Sequence, residues 1–210
     1  LPSSTFFNLA PEKQEKLLSA AVREFTERPY NEASINRIVR EAGIPRGSFY
    51  MYFRDKEDLF RYLVQESIQE LLVVFEEILR GRNGDVFAAL PDMYDYLRSH
   101  PAADCGLGGP GMMSAIVNRN GGLQKGGLLE FVEPELILER MEDCVNPDLL
   151  DLREPEDLGY ILRTLIILAV PVMYNGLRPG ADPDGRKRLE RVLQIVRRGM
   201  GAKPASAQQK

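Results

Sequence analysis

Apolar residues recur every three or four positions along most of this chain, and almost no stretch alternates with a period of two. That spacing lines one face of an α-helix, whereas a half-buried strand needs alternation. An all-α protein follows. Pro11 can open a first long helix, with Glu12 and Glu15 near its positive end and Leu17, Leu18, Ala21, Val22 and Phe25 on its buried face. Arg28-Pro29 stops it. Ser34 is placed to cap a short helix with Ile35, Ile38, Val39 and Ala42 inward, and Gly43 ends it. A third helix over about residues 45–53 carries Phe49, Tyr50, Tyr52 and Phe53. Asp55 caps a long fourth helix with Glu57 and Asp58 in its first turn, broken by the segment Arg80 to Asp85.

Further along, Val86 to Ser99 reads as a helix that Pro91 should kink or divide. Residues 104–127 are glycine-rich and hold one short helix around Met112 to Asn118. Helical patterns return at about Leu128 to Cys144, Pro155 to Leu177 and Pro183 to Gly199. The polar tail 201–210 has no apolar anchor and is expected to be disordered.

The tight turn Gly43-Ile44-Pro45 between two short helices has the form of a helix-turn-helix. Gly43 tolerates positive φ, and Ile44 can plug the space beneath the turn. Charge adds a second signal. From Ile35 to Lys56 five basic residues (Arg37, Arg40, Arg46, Arg54, Lys56) face two acids, while the whole chain carries a net charge of -4. A basic segment inside an acidic protein points to a nucleic-acid face, because phosphate contacts supply most non-specific affinity. In the third helix Arg46 can reach a guanine edge or a phosphate, and Gly47 permits close approach. Ser48, Tyr50 and Tyr52 carry hydroxyls for phosphate oxygens, and Met51 can touch a thymine methyl. The alternative for each tyrosine is a partly buried core aromatic. Phe49 and Phe53 share one face and belong to the core.

The stretch SINRIVREAGIPRGSFYMYFRDKEDLF resembles the DNA-binding region of the tetracycline-repressor (TetR/AcrR) family of bacterial regulators. The matching blocks are Ala42-Gly43, Gly47-Ser48, Phe49 to Phe53 and Lys56-Glu57-Asp58-Leu59; Arg28-Pro29-Tyr30 departs from the family's usual Lys-Gly-aromatic. The resemblance implies phosphate and base contacts at Ser34 and Asn36, recognition contacts at Arg46, Gly47, Ser48, Tyr50 and Tyr52, and a phosphate clamp at Lys56. It also implies an N-terminal three-helix DNA-binding domain over about residues 1–56 and a C-terminal helical domain over 57–200 for effector binding and dimerisation. A ligand-responsive repressor acting as a homodimer on a pseudo-palindromic operator is the expected function. An activator, or a small-molecule-binding protein that has lost DNA binding, is the alternative.

Methionines and aromatics in the second part suit an adaptable pocket for an apolar or aromatic effector: Met93, Tyr94, Met112, Met113, Phe131, Tyr160, Met173 and Tyr174. Ordinary core packing is the alternative for each. The last two helices are apolar over more than one stripe, which suggests a second buried surface. Leu158, Leu162, Leu165, Leu189, Val192, Ile195 and Val196 are the candidates for a four-helix dimer interface.

Other chemistries find little support. Gly106 to Gly111 matches G-x-G-x-x-G in letters, but no strand precedes it. His100, Cys105 and Cys144 cannot supply a four-ligand zinc site, and a single histidine leaves no credible catalytic triad. No catalytic residue, metal or cofactor is expected, and the cysteines read as free thiols of a reducing cytoplasm. Leu165 to Met173, the most apolar run, is too short to span a bilayer. No signal peptide is read at the start, and because residue 1 is Leu, native residues before it are expected to be missing.

Overall fold

In the computed structural model, residues 2–100, 110–120, 134–176, 180 and 183–199 are described. They form ten α-helices and, among the described residues, no strand. In chain order these are α1 (Ser4–Phe7), α2 (Pro11–Glu27), α3 (Ile35–Ala42), α4 (Arg46–Tyr52) and α5 (Lys56–Gly81). Then come α6 (Val86–Ser99), α7 (Pro110–Asn120), α8 (Pro134–Glu142), α9 (Asp157–Gly176) and α10 (Gly185–Arg198). Phe131, Cys105, Gly106 to Gly109 and the tail 201–210 lie outside the described residues.

Local chemistry sets most boundaries as expected. Pro11 takes the first position of α2, where its missing N–H costs nothing. The Asp55 carboxylate accepts the Asp58 N–H at 2.8 Å and caps α5. Asp85 caps α6 through the N–H groups of Phe87 and Ala88. Before it the chain turns through Asn83 and Gly84, both at positive φ. A Cβ at Gly84 would lie 2.4 Å from the Asn146 nitrogen, so the segment after α8 can close on this turn only because residue 84 is glycine.

Pro91 does not divide α6, which runs unbroken through it. The proline removes one backbone bond, but Val86, Ala89 and Leu90 before it and Met93, Tyr94 and Leu97 after it are buried in one core. Shared burial on both sides holds the two halves in line.

Among the described residues there are two cores. The first gathers α1 to α4 and the start of α5 around Phe6, Phe25, Phe49, Phe53 and Phe60, all essentially without exposure. The second lies among the later part of α5, α6, α8, α9 and α10, around Leu79, Leu162, Leu165 and Leu189. The expected division after residue 56 therefore falls at the first residue of a helix that serves both cores. Leu59, Phe60, Leu63 and Val64 pack in the first core, Phe75 and Leu79 in the second. Helix α7 returns to the first core, where Met112, Met113 and Ile116 pack against α2 and α5.

Candidate nucleic-acid interface

Helices α3 and α4 meet through a three-residue turn. Gly43 adopts a left-handed conformation (φ 68°, ψ 30°), and its N–H and that of Ile44 return to the carbonyls of Arg40 and Val39. This closure satisfies the last carbonyls of α3 and points the chain into α4 within two residues. Ile44 packs against the first core beneath the turn.

Two phenylalanines fix the roll of α4. Phe49 and Phe53 are buried, at 0% and 1% exposure. The opposite side of the helix presents Arg46 and Gly47, with Tyr50 47% and Met51 59% exposed. Arg46 and Tyr50 stand one turn apart, and so do Gly47 and Met51, so the four form one outward patch. The Arg46 guanidinium donates to the Tyr50 hydroxyl at 3.3 Å and lies 5.9 Å from its ring centroid. A Cβ at Gly47 would meet nothing within 4 Å, so packing inside the protein does not demand a glycine there. Asn36 is exposed on α3, and Ser48 is half-buried.

The structure redistributes several of the expected roles. Tyr52 is half-buried against the first core, its ring 6.4 Å from that of Phe6, so its side chain is largely committed to packing. Ser34 precedes α3 as expected, but its side chain makes no capping bond; its N–H instead donates to the Glu24 carboxylate at 2.8 Å. Lys56 turns inward. Its ammonium donates to the carbonyls of Tyr30 at 2.6 Å and Ala33 at 3.0 Å and sits 4.6 Å from the Tyr30 ring centroid. In this arrangement it ties the turn after α2 to the start of α5.

The positive charge is also less free than the sequence window suggests. Glu24 on α2, outside that window, takes Arg37 through Nε at 2.8 Å and a second contact at 2.5 Å. Burial by itself raises the Glu24 carboxyl, but the Arg37 hydrogen bond and the Ser34 N–H outweigh it and hold the group below the ordinary 4.5. Asp58 takes the Arg54 N–H at 3.1 Å and lies 3.6 Å from its guanidinium. Arg40 and Arg46 are exposed and have no carboxylate partner among the described residues.

The remaining candidates are spread over the molecule. Met112 and Met113 are in the first core, whereas Met93, Tyr94 and Met173 are in the second. Tyr160 stands outside, 68% exposed. Tyr174 lies in α9, but its side chain, like Phe131, is outside the described residues. These residues therefore do not line one pocket. Among the dimer candidates, Leu162, Leu165 and Leu189 are wholly buried in the protomer's own core and cannot touch a second chain. Leu158, Val192, Ile195 and Val196 are half-buried. Among the described residues of α9, the large apolar side chains left exposed are Tyr160 and Ile167, the latter 65% exposed.

A short helical pair, a left-handed glycine turn and an outward polar-aromatic face define a helix-turn-helix domain of the kind found in bacterial regulators. Residues 17–63 match the family described as bacterial regulatory proteins, tetR family. It is 35% identical over 86 residues to an HTH-type transcriptional repressor of Mycobacterium tuberculosis, covering 40% of this chain and 46% of the relative. It is 29% identical over 70 residues to a fatty acid metabolism regulator protein of Bacillus subtilis, covering 33% and 36%. The chain thus spans less than half the length of these curated relatives. A fatty acid degradation regulator from Bacillus halodurans has a similar fold, with a TM-score of 0.53 at 19% identity over 93% of this chain and all of that one.

Proposed function

We propose that this chain is a sequence-specific DNA-binding transcriptional regulator that acts as a homodimer and responds to a small apolar or aromatic effector. The observation that carries the reading is the outward face of α4. Phe49 and Phe53 lock the helix while Arg46, Gly47, Tyr50 and Met51 project away from the protein. Gly47 leaves room that no part of the protein fills, which suits close approach of a DNA groove wall. Repression is the favoured outcome, since one relative is named a transcriptional repressor.

Arg46 and Asn36 are the base readers in this proposal, with Tyr50 and Ser48 on phosphates and Met51 on a thymine methyl. Ser34 and Lys56 help hold the backbone contacts in place. Two such faces related by a two-fold axis would read a pseudo-palindromic site. The exposed Tyr160 and Ile167 on α9, with Val192, Ile195 and Val196 on α10, supply the dimer surface. Helix α5 supports coupling between effector and DNA, because it packs in both cores. A cytoplasmic setting fits this role; among the described residues no helix is long and apolar enough to cross a membrane.

The test uses a duplex selected by the protein from a randomised library. Arg46→Ala should weaken binding by about 1–3 kcal/mol and relax selection at one position of the site. Equal affinity of Arg46→Ala and the parent sinks the assigned face. For the dimer, Ile167→Glu should give monomers in sedimentation without loss of helical content.

A further inference from the structure

The recognition helix is only seven residues long, too short to hold its shape alone. Its first residue follows Pro45, which provides no side-chain cap. Its last carbonyls lack partners within the helix, as at every helix end. Two of them are satisfied from 48 or more residues upstream. The Ser3 hydroxyl donates to the Met51 carbonyl at 2.5 Å, and the Ser3 N–H donates to the Tyr52 carbonyl at 2.9 Å.

The segment that delivers Ser3 is itself anchored. Phe6 is fully buried, with ring centroids 5.0 Å from Phe53, 5.7 Å from Tyr62 and 6.4 Å from Tyr52. Gln14 on α2 donates to the carbonyl of Leu9 at 3.0 Å and of Phe7 at 3.3 Å, which ties the end of α1 to the start of α2. A continuous set of contacts thus runs from α2 through α1 to the last turn of α4. Met51, whose carbonyl Ser3 holds, is also one of the outward side chains.

We propose that Ser3–Phe7 is a strap that fixes the last turn of the recognition helix and thereby sets its discrimination between specific and non-specific DNA. This rests on the DNA-binding reading above. Ser3 is a positioning residue: it acts through the backbone of Met51 and Tyr52. Non-specific binding depends on phosphate charge and tolerates small displacements, whereas base readout requires the side chains in register. Loss of the strap therefore lowers specificity more than affinity for DNA in general.

The variants are Ser3→Ala, which removes the hydroxyl but keeps the N–H, and Ser3→Thr, which restores a hydroxyl. Binding is measured to a duplex selected by the parent and to poly(dI-dC). Amide hydrogen exchange is followed without DNA. In Ser3→Ala, affinity for the selected duplex should fall about three- to tenfold, the range of one hydrogen bond, with poly(dI-dC) binding unchanged. Exchange at residues 50–53 should accelerate by a similar factor while α2 stays protected, and Ser3→Thr should recover both. The strap is overturned if Ser3→Ala matches the parent in exchange and in selected-duplex affinity. It is overturned equally if both DNA affinities fall together with faster exchange throughout α2, since that is general destabilisation. A parent without specific DNA affinity removes the DNA role with the parent reading. Exchange at residues 50–53 then separately decides whether Ser3 holds the helix.

Discussion

The two cores are made of different material. In the first, five phenylalanines are buried together and are ringed by Tyr30, Tyr52 and Tyr62. Ring centroids lie 5.0 Å apart for Phe25–Phe60 and Phe6–Phe53, and 4.9 Å for Tyr30–Phe60. In the second, Phe75 and Tyr94 are the only buried aromatics among the described residues; leucine, valine, alanine and methionine fill the rest. Aromatic rings dock in a few preferred geometries, whereas methionine and leucine repack at lower cost. A rigid first core holds the outward face of α4 in one orientation. A softer second core suits the effector-binding role proposed for it.

The most severe way to break this contrast is to empty one side chain from each core. Phe60 and Leu162 both have no exposure. Phe60→Ala should cost about 3–5 kcal/mol and Leu162→Ala about 2–5 kcal/mol, with Phe60→Ala the larger because its rigid neighbours collapse less into the void. Because α5 belongs to both cores, each variant should still unfold in one transition, measured by circular dichroism in denaturant. Two separated transitions in either variant would show that α5 does not join the cores.

The first core was legible in the sequence because its signals are local. Gly43, the Asp55 cap and the Phe49/Phe53 spacing each declare themselves within a few residues, and the structure uses them that way. What escaped depends on contacts between distant residues. Four residues of α1 carry no periodicity, and the partners of Ser3 stand 48 and 49 positions away. The apolar breadth of α9 does not tell which side is internal, so Leu162 and Leu165 read as interface although both are buried in the protomer's own core. Met112 and Met113 fall in the second half of the chain, yet α7 folds back onto α2 and α5. A partial cue for α1 is the pair Phe6-Phe7 behind Ser3-Ser4, a cap followed by apolar residues.

Glu24 sharpens the comparison next, because it is a buried charge in the rigid core. Its carboxylate holds Arg37 and the Ser34 N–H, and so fixes where α3 begins. Glu24→Gln should cost about 2–3 kcal/mol, the scale of hydrogen bonds to a charged group. The pH dependence follows from the lowered carboxyl. Its contribution is fully present above the ordinary 4.5 and is lost as pH falls through the lower folded value. Acid titration of stability should therefore be flatter in Glu24→Gln below about pH 4.5 than in the parent. Parallel acid profiles would remove Glu24 from this role.

Tyr94 is the rigid exception in the softer core. A Cβ at Gly176 or Gly185 would lie 2.5 Å or 2.3 Å from its ring or hydroxyl, so the tyrosine is slotted between the end of α9 and the start of α10. Gly185→Ala should cost about 1–2 kcal/mol by overpacking in thermal melts. A neutral effect would mean that Tyr94 moves aside freely, extending the adaptable character to this buried tyrosine.

The smallest expected effect lies where the cores meet. Ser67 is fully buried on α5, between Val64 of the first core and Leu71, which touches both. Its hydroxyl has no hydrogen-bond partner among the described residues. A buried polar group with its bond unmet is destabilising, and deleting it leaves only a small void. Ser67→Ala should therefore stabilise the fold by about 1 kcal/mol, read as a raised melting temperature. A lowered melting temperature would show that the hydroxyl is satisfied in solution, by water or by a small shift of α5. The junction between the two cores would then be polar and hydrated rather than a dry continuation of both.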